Sequence, residues 1–314
     1  MNRPAHAWVL NLEAESELEA GGAFTAPVHL RKIVAQQRRQ LLGQLVQPGD
    51  VLVTEESVAA AGPDARHLAQ GLPGFAWSPT PNAIALLEAA GARPLPAPSA
   101  SILRAVNARP FAGVVRAPHA PGSFEKHVEG DLDGVLRRLA GTAALGWLVR
   151  RSFGAAGRGR RRMESGKPSN AEQQWIEASL RRGPLTIEPW VEITREYTRS
   201  GWVAPGGEIT ISAPCFQTTT DTGAWTRTDL VQRGDVSRDD DRRLAEMTQV
   251  AGMALADAGY FGPYGIDAFR HRVSGSSGDV LNPMSEINAR FTMDWATALP
   301  VQLLDCAANP LPTD

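Results

Sequence analysis

Two strand-like runs, GIDAFRHRV (265–273) and VLNPMSEINA (280–289), flank SGSSGD, and this pair restricts the fold more than any other feature of the chain. A glycine- and serine-rich connection between two such runs predicts an antiparallel hairpin. Opposed residues in a hairpin have numbers of constant sum, so a turn centred between Ser276 and Ser277 sets Asp267 opposite Glu286. Side chains alternate faces along a strand, so Asn288 shares the face of Glu286, and Arg290 continues it. Two carboxylates and an amide oxygen are hard ligands without imidazole or thiolate, a set that suits Mg2+ and leaves room for water and phosphate. Adjacent acids repel, and a purely structural sheet has nothing to gain from that. The alternative is a polar strand face carrying ordinary surface acids.

More than a hundred residues upstream, RRSFGAAGRGRRR (150–162) follows the strand-like LGWLVRR. It is not a Walker loop, which needs GxxxxGK[ST] running into a helix; after Gly159 come three arginines and a methionine. The spacing is GxxGxG, so the dinucleotide fingerprint GxGxxG fails as well. A glycine hairpin of this kind can close over phosphates with backbone N–H groups and arginine forks. The same residues would also serve as a solvated hairpin tip.

The rest of the chain supplies the frame. Over residues 1–100, the runs HAWVLNL and GDVLVTEE read as strands and TPNAIALLEAAG as a helix with Pro81 early. APVHLRKIVAQQRRQLLGQLV places Val28, Ile33, Val34, Leu41, Leu42 and Leu45 at helical spacing. This alternation predicts a small open α/β domain, with RPLPAPSA (93–100) as the connection to the next lobe. Ser169 and Glu172 form a capping box for AEQQWIEASLRR. LTIEPWV, EYTRSGWVA and GEITISA read as strands, the last two joined by PGG. DRRLAEMTQVAGMALADAG is a helix with Leu244, Met247, Ala251, Ala254, Leu255 and Ala258 on one face, and MDWATALPVQLLDCA a helix broken by Pro300.

Charge and cysteine content exclude several classes. A net charge of −2 argues against a mainly nucleic-acid-binding chain. Two cysteines, Cys215 and Cys306, are too few for a disulfide framework or a zinc site. No apolar run approaches a membrane span, so a cytoplasmic protein with no membrane partner is expected. Only Lys32, Lys126 and Lys167 are lysines, so arginine stands in many places where lysine would be usual.

A glycine loop after a strand, then EPWV, then D…ExN on a late hairpin resembles, in that order, the ATP-grasp superfamily over roughly residues 100 to 300. The resemblance implies an α+β fold of two lobes gripping ATP, preceded by an α/β domain. The corresponding divisions are 1–100, 101–187 (central lobe with the phosphate loop) and 188–314 (C-terminal lobe with the metal site). It implies that Arg150 takes the place of the strand lysine on the ATP phosphates, or Arg151 if the loop is one residue longer. The lid is Gly154, Ala155, Ala156, Gly157 and Gly159. Trp190 and Val191 would meet the adenine with Glu188 close by, and Glu196 would take the ribose. Asp267, Glu286 and Asn288 match the magnesium ligands, with Mn2+ as the alternative ion, and EINAR matches ExNxR, giving Arg290 a role at the reactive phosphate. The nucleotide site is similar to that of D-alanine–D-alanine ligases.

Two departures stand out: arginine for the strand lysine, and no lysine at the second, upstream phosphate position, where AVNARPF offers Arg109. The implied activity is carboxylate–amine ligation through an acyl phosphate, on amino-acid or peptide substrates and without nucleic acid. An ATP-binding protein with lost or kinase-like activity is the second expectation, and a homodimer is left open.

Overall fold

The computed structural model describes residues 4–119, 126–154, 158–220, 225–232, 234–273, 278–299 and 304. Its first sheet is parallel, in the order β2-β1-β3-β4, from β1 (Ala7–Val9), β2 (Val51–Leu52), β3 (Pro73–Ala76) and β4 (Arg93–Pro94). Parallel strands are covered on both faces. Accordingly Ala7, Trp8 and Val9 are all buried, and Trp8 stacks on Phe75 at 4.9 Å between ring centroids. The helices here are α1 (Ala14–Ala20), α2 (Val28–Leu41), α3 (Glu55–Ala61) and α4 (Pro81–Ala89). In α2 the buried residues are Leu30, Val34 and Leu41, whereas Val28, Ile33 and Leu42 are 61%, 41% and 47% exposed. The apolar stripe is thus narrower than the spacing suggested, because Ile33 falls beside the face that Leu30, Val34 and Leu41 define and Val28 falls nearly opposite it.

Helices α5 (Ala100–Asn107), capped by the Ser99 hydroxyl, and α6 (Arg109–Arg116) lead into an antiparallel sheet of order β5-β8-β6-β7. Its strands are β5 (His127–Glu129), β6 (Trp147–Arg151), β7 (Arg160–Met163) and β8 (Leu185–Pro189). One face packs on α7 (Leu132–Leu139) and α8 (Asn170–Leu180) through Val135, Leu139, Val149, Ile176 and Ile187. The Ser169–Glu172 capping box forms as read, each side chain accepting the other residue's backbone N–H. Pro189 ends β8, so EPWV leaves the sheet after its second residue.

The third sheet is antiparallel, order β11-β10-β9-β12-β13. It contains β9 (Ile193–Val203), β10 (Ile209–Thr219), β11 (Trp225–Leu230), β12 (Gly262–Arg272) and β13 (Asp279–Asn288). Helix α9 (Arg238–Asp257), capped by Ser237, lays Leu244, Met247, Ala251 and Leu255 on it. Gly201 on β9 lies directly across from Tyr264 on β12, and a Cβ there would fall on the tyrosine ring. Short helix α10 (Trp295–Ala298) closes the description, with Phe291 and Trp295 packed into the Trp8–Phe75 cluster of the first sheet.

The predicted hairpin register holds at the point that matters: Asp267 pairs with Glu286, and Gly265 with Asn288. A bulge then shifts the pairing, so Phe269 faces Asn282. Pro283 sits in the bulged stretch, where a residue without an N–H costs no ladder hydrogen bond.

Candidate functional site

The third sheet and the strand before the glycine loop meet at one cavity of about 200 Å³. Its lining includes Arg109, Arg150, Gly154, Asp267, Glu286, Asn288 and Arg290, so seven of the sequence-predicted residues converge there. Five of them are delivered by rigid elements: Arg109 by the first turn of α6, Arg150 by β6, Asp267 by β12, Glu286 and Asn288 by β13; Gly154 and Arg290 lie just beyond strand ends. Glu188, Trp190, Val191 and Glu196 are not part of this lining. Ala155, Ala156 and Gly157 lie outside the described residues.

Opposite charges interlock across the cavity wall. Glu286 Oε1 lies 3.0 Å from Arg109 Nη2, and its Oε2 lies 3.3 Å from Arg150 Nη1. The other Arg150 amine, Nη2, holds Glu188 Oε1 at 2.6 Å. Glu188 is buried and also faces Lys126 Nζ at 3.7 Å, while Lys126 donates to the Ser285 carbonyl at 2.7 Å. Burial pushes the Lys126 ammonium down to about 8, against the pull of Glu188. Burial works against the charge on Arg150 too, but Glu188 and Glu286 more than offset it, and its pKa is raised.

The two facing acids diverge. Burial and then the charge of Glu286 push Asp267 up to about 7, with the Asn288 amide the one donor that relieves it. Burial alone would raise Glu286, but Arg109 and Arg150 outweigh it and hold its carboxyl below the ordinary range. Asp267 has no ion-pair partner among the described residues; it accepts from Asn288 Nδ2 at 3.0 Å. A carboxylate turned into a cavity without an ion pair can hold a cation, and the oxygen-only donors would fit Mg2+. Among the described residues no group of three or more His, Cys, Asp or Glu side chains gathers at metal distance, so the set rests on two acids and an amide.

Arg290 Nη2 is 2.7 Å from Glu15 Oε1, and Glu15 Oε2 accepts the Gly154 N–H at 2.8 Å. Glu15 of α1 therefore ties the start of the glycine loop to the strand-end arginine, a link that no local pattern in the sequence announces. Lys126 likewise has no motif around it; its rarity in an arginine-rich chain was the available signal. The remaining predicted residues lie apart from this cluster. The Trp190 N–H is donated to the Gly146 carbonyl, and Arg162 stacks on the Trp190 ring. Glu196 accepts from Thr219 Oγ1 at 2.6 Å. His271, near the end of β12, is buried. No helix among the described residues is long and apolar enough to cross a membrane.

No protein-family profile and no curated protein matches this sequence. Solved structures do. The D-alanyl-alanine synthetase A from Vibrio cholerae is similar at a TM-score of 0.53 and 12% identity, over 97% of this chain and 97% of that one. The N5-carboxyaminoimidazole synthetase from Staphylococcus aureus, complexed with ADP, is similar at 0.51 and 11% identity, over 93% of this chain and 72% of that one. At such identities the likeness speaks for the fold alone. With three sheets in this order and the D…ExN hairpin opposite the glycine-loop strand, the chain has the ATP-grasp fold.

Proposed function

We propose that this protein is an ATP-dependent ligase that activates a carboxylate as an acyl phosphate and couples it to an amine, releasing ADP and phosphate. The observation that carries this reading is the meeting of Arg109, Arg150 and Arg290 with Asp267, Glu286 and Asn288 in one cavity. Phosphoryl transfer asks a protein for positioning and charge neutralisation and for little covalent help. ATP would supply the phosphoryl group, and Mg2+ (or Mn2+) on the three oxygen donors would neutralise charge on its phosphates. Arg109 and Arg150 would bind phosphate oxygens, joined by the N–H of Gly154 and those of Ala155, Ala156 and Gly157. Arg290 would stabilise charge on the transferring group; one preorganised donor of this kind contributes about 3 kcal/mol. Glu188, Trp190 and Val191 are assigned to the adenine and Glu196 to the ribose, on resemblance alone. The substrates are of amino-acid or peptide type. On this reading the chain divides at 100/101 and 187/188, the second division falling inside β8.

The test is ADP release over a panel of carboxylate and amine pairs, repeated with Glu286→Gln. Turnover with the true pair should fall by about a hundredfold or more; unchanged turnover would refute the metal assignment. One observation favours a second reading, that of a nucleotide-binding protein without ligase activity. Both proposed phosphate arginines are already ion-paired, to Glu286 and Glu188. Thermal stabilisation by ATP with no ADP release for any pair would select it.

A further inference from the structure

Lys126, Glu188, Arg150, Glu286 and Arg109 form a row of alternating charge that ends at the cavity. Its hub is Arg150, whose planar fork holds Glu188 with one amine and Glu286 with the other. A lysine ammonium is a point charge with no fork to fix two separate carboxylates in direction. The arginine in the lysine position thus creates a link that a lysine would not. Both cations meant for phosphate end on one carboxylate, Arg109 on Oε1 and Arg150 on Oε2. That carboxylate is also one of the three oxygen donors of the proposed cation site.

From this double use of Glu286 we infer that it is the resident counter-anion of the polyphosphate site. A divalent cation that takes Glu286 as a ligand frees Arg109 and Arg150 for phosphate, and polyphosphate without the cation has to compete with Glu286. This rests on the nucleotide reading above and specifies how that site is regulated: cation and polyphosphate bind as a coupled pair. Such coupling is reciprocal, so each strengthens the other by the same factor. Glu286 meets both guanidiniums, Arg109 at 3.0 Å and Arg150 at 3.3 Å, which is the contact a counter-anion makes. Asp267 lies directly across the strand pair but has no ion pair among the described residues, so removing its carboxylate unblocks neither arginine.

The experiment is titration calorimetry of the full chain with inorganic tripolyphosphate in chelator, for wild type, Glu286→Gln and Asp267→Asn. Tripolyphosphate has no base or ribose, so it reports the phosphate cations alone. Glu286→Gln should bind it about tenfold or more tighter than wild type without metal, the size of a typical coupling. Asp267→Asn should gain far less. If Glu286→Gln does not fold, Glu286→Asp replaces it, since a side chain one methylene shorter cannot reach both guanidiniums. Equal metal-free affinity of wild type and the Glu286 variant would overturn the inference, and so would an equal gain in Asp267→Asn. Failure of wild type to bind ATP with Mg2+ would sink the nucleotide reading, while the tripolyphosphate comparison would still decide the coupling.

Discussion

Lys126 offers the sharpest test of the buried charge row. Its side chain is 3% exposed, and burial lowers its pKa from 10.5 to about 8 despite Glu188. Below about 8 both folded and unfolded chains carry the proton, and the folded state bears the full cost of the buried charge. Between about 8 and 10.5 the unfolded chain holds a proton that the folded chain has released, so stability rises with pH. Integrated from pH 7 to pH 10, the shift gives wild type about 2.5 kcal/mol relative to a chain that cannot titrate there. Lys126→Met is that chain, similar in length and apolar. Urea unfolding of both proteins at the two pH values measures the difference, and titrating groups not coupled to Lys126 cancel between them. A gap that stays constant with pH within about 0.5 kcal/mol would refute the burial and protonation assigned to Lys126. So would a gap that moves in favour of Lys126→Met.

Gly201→Ala should destabilise the fold by about 1–3 kcal/mol, because its Cβ has to displace the buried Tyr264 ring; a denaturant midpoint equal to wild type would show that the strand can shift. Cys215 is buried, and burial followed by the charge of Asp294 pushes its thiol up to about 12. Site-resolved alkylation at pH 8 should leave it unmodified in the folded protein and modified once unfolded, since the thiolate is the reactive form; rapid labelling of the native chain would contradict that burial.

Particular residues mark how far the amino-acid order reaches. The constant-sum rule placed Asp267 opposite Glu286 without coordinates, and the pair forms as read because a strand's two-residue period ties register to face. The Ser169–Glu172 box was equally legible, since a helix start is satisfied by groups three residues away. Distant meetings were not legible. Nothing local to Lys126 announces Glu188, and nothing in α1 announces that Glu15 reaches both Gly154 and Arg290. The buried face of α2 differs from its apolar spacing for a related reason, because which of several apolar positions on a helix are covered depends on the neighbour it packs on.

The sequence by itself therefore determined the longer elements such as α2, α8, α9, β12 and β13, the hairpin register and the hard-oxygen character of the candidate site, all properties of short spacing and local hydrogen bonding; it missed short elements, among them β4 (Arg93–Pro94), which lies in the stretch read as a connection. Only the tertiary structure decided which charges neutralise which. It put Arg109 and Arg150 on Glu286, gave Asp267 no ion pair among the described residues, and drew Lys126 into a desolvated position. Charge pairing depends on distance in space and on exclusion of water, and neither is written in the order of residues.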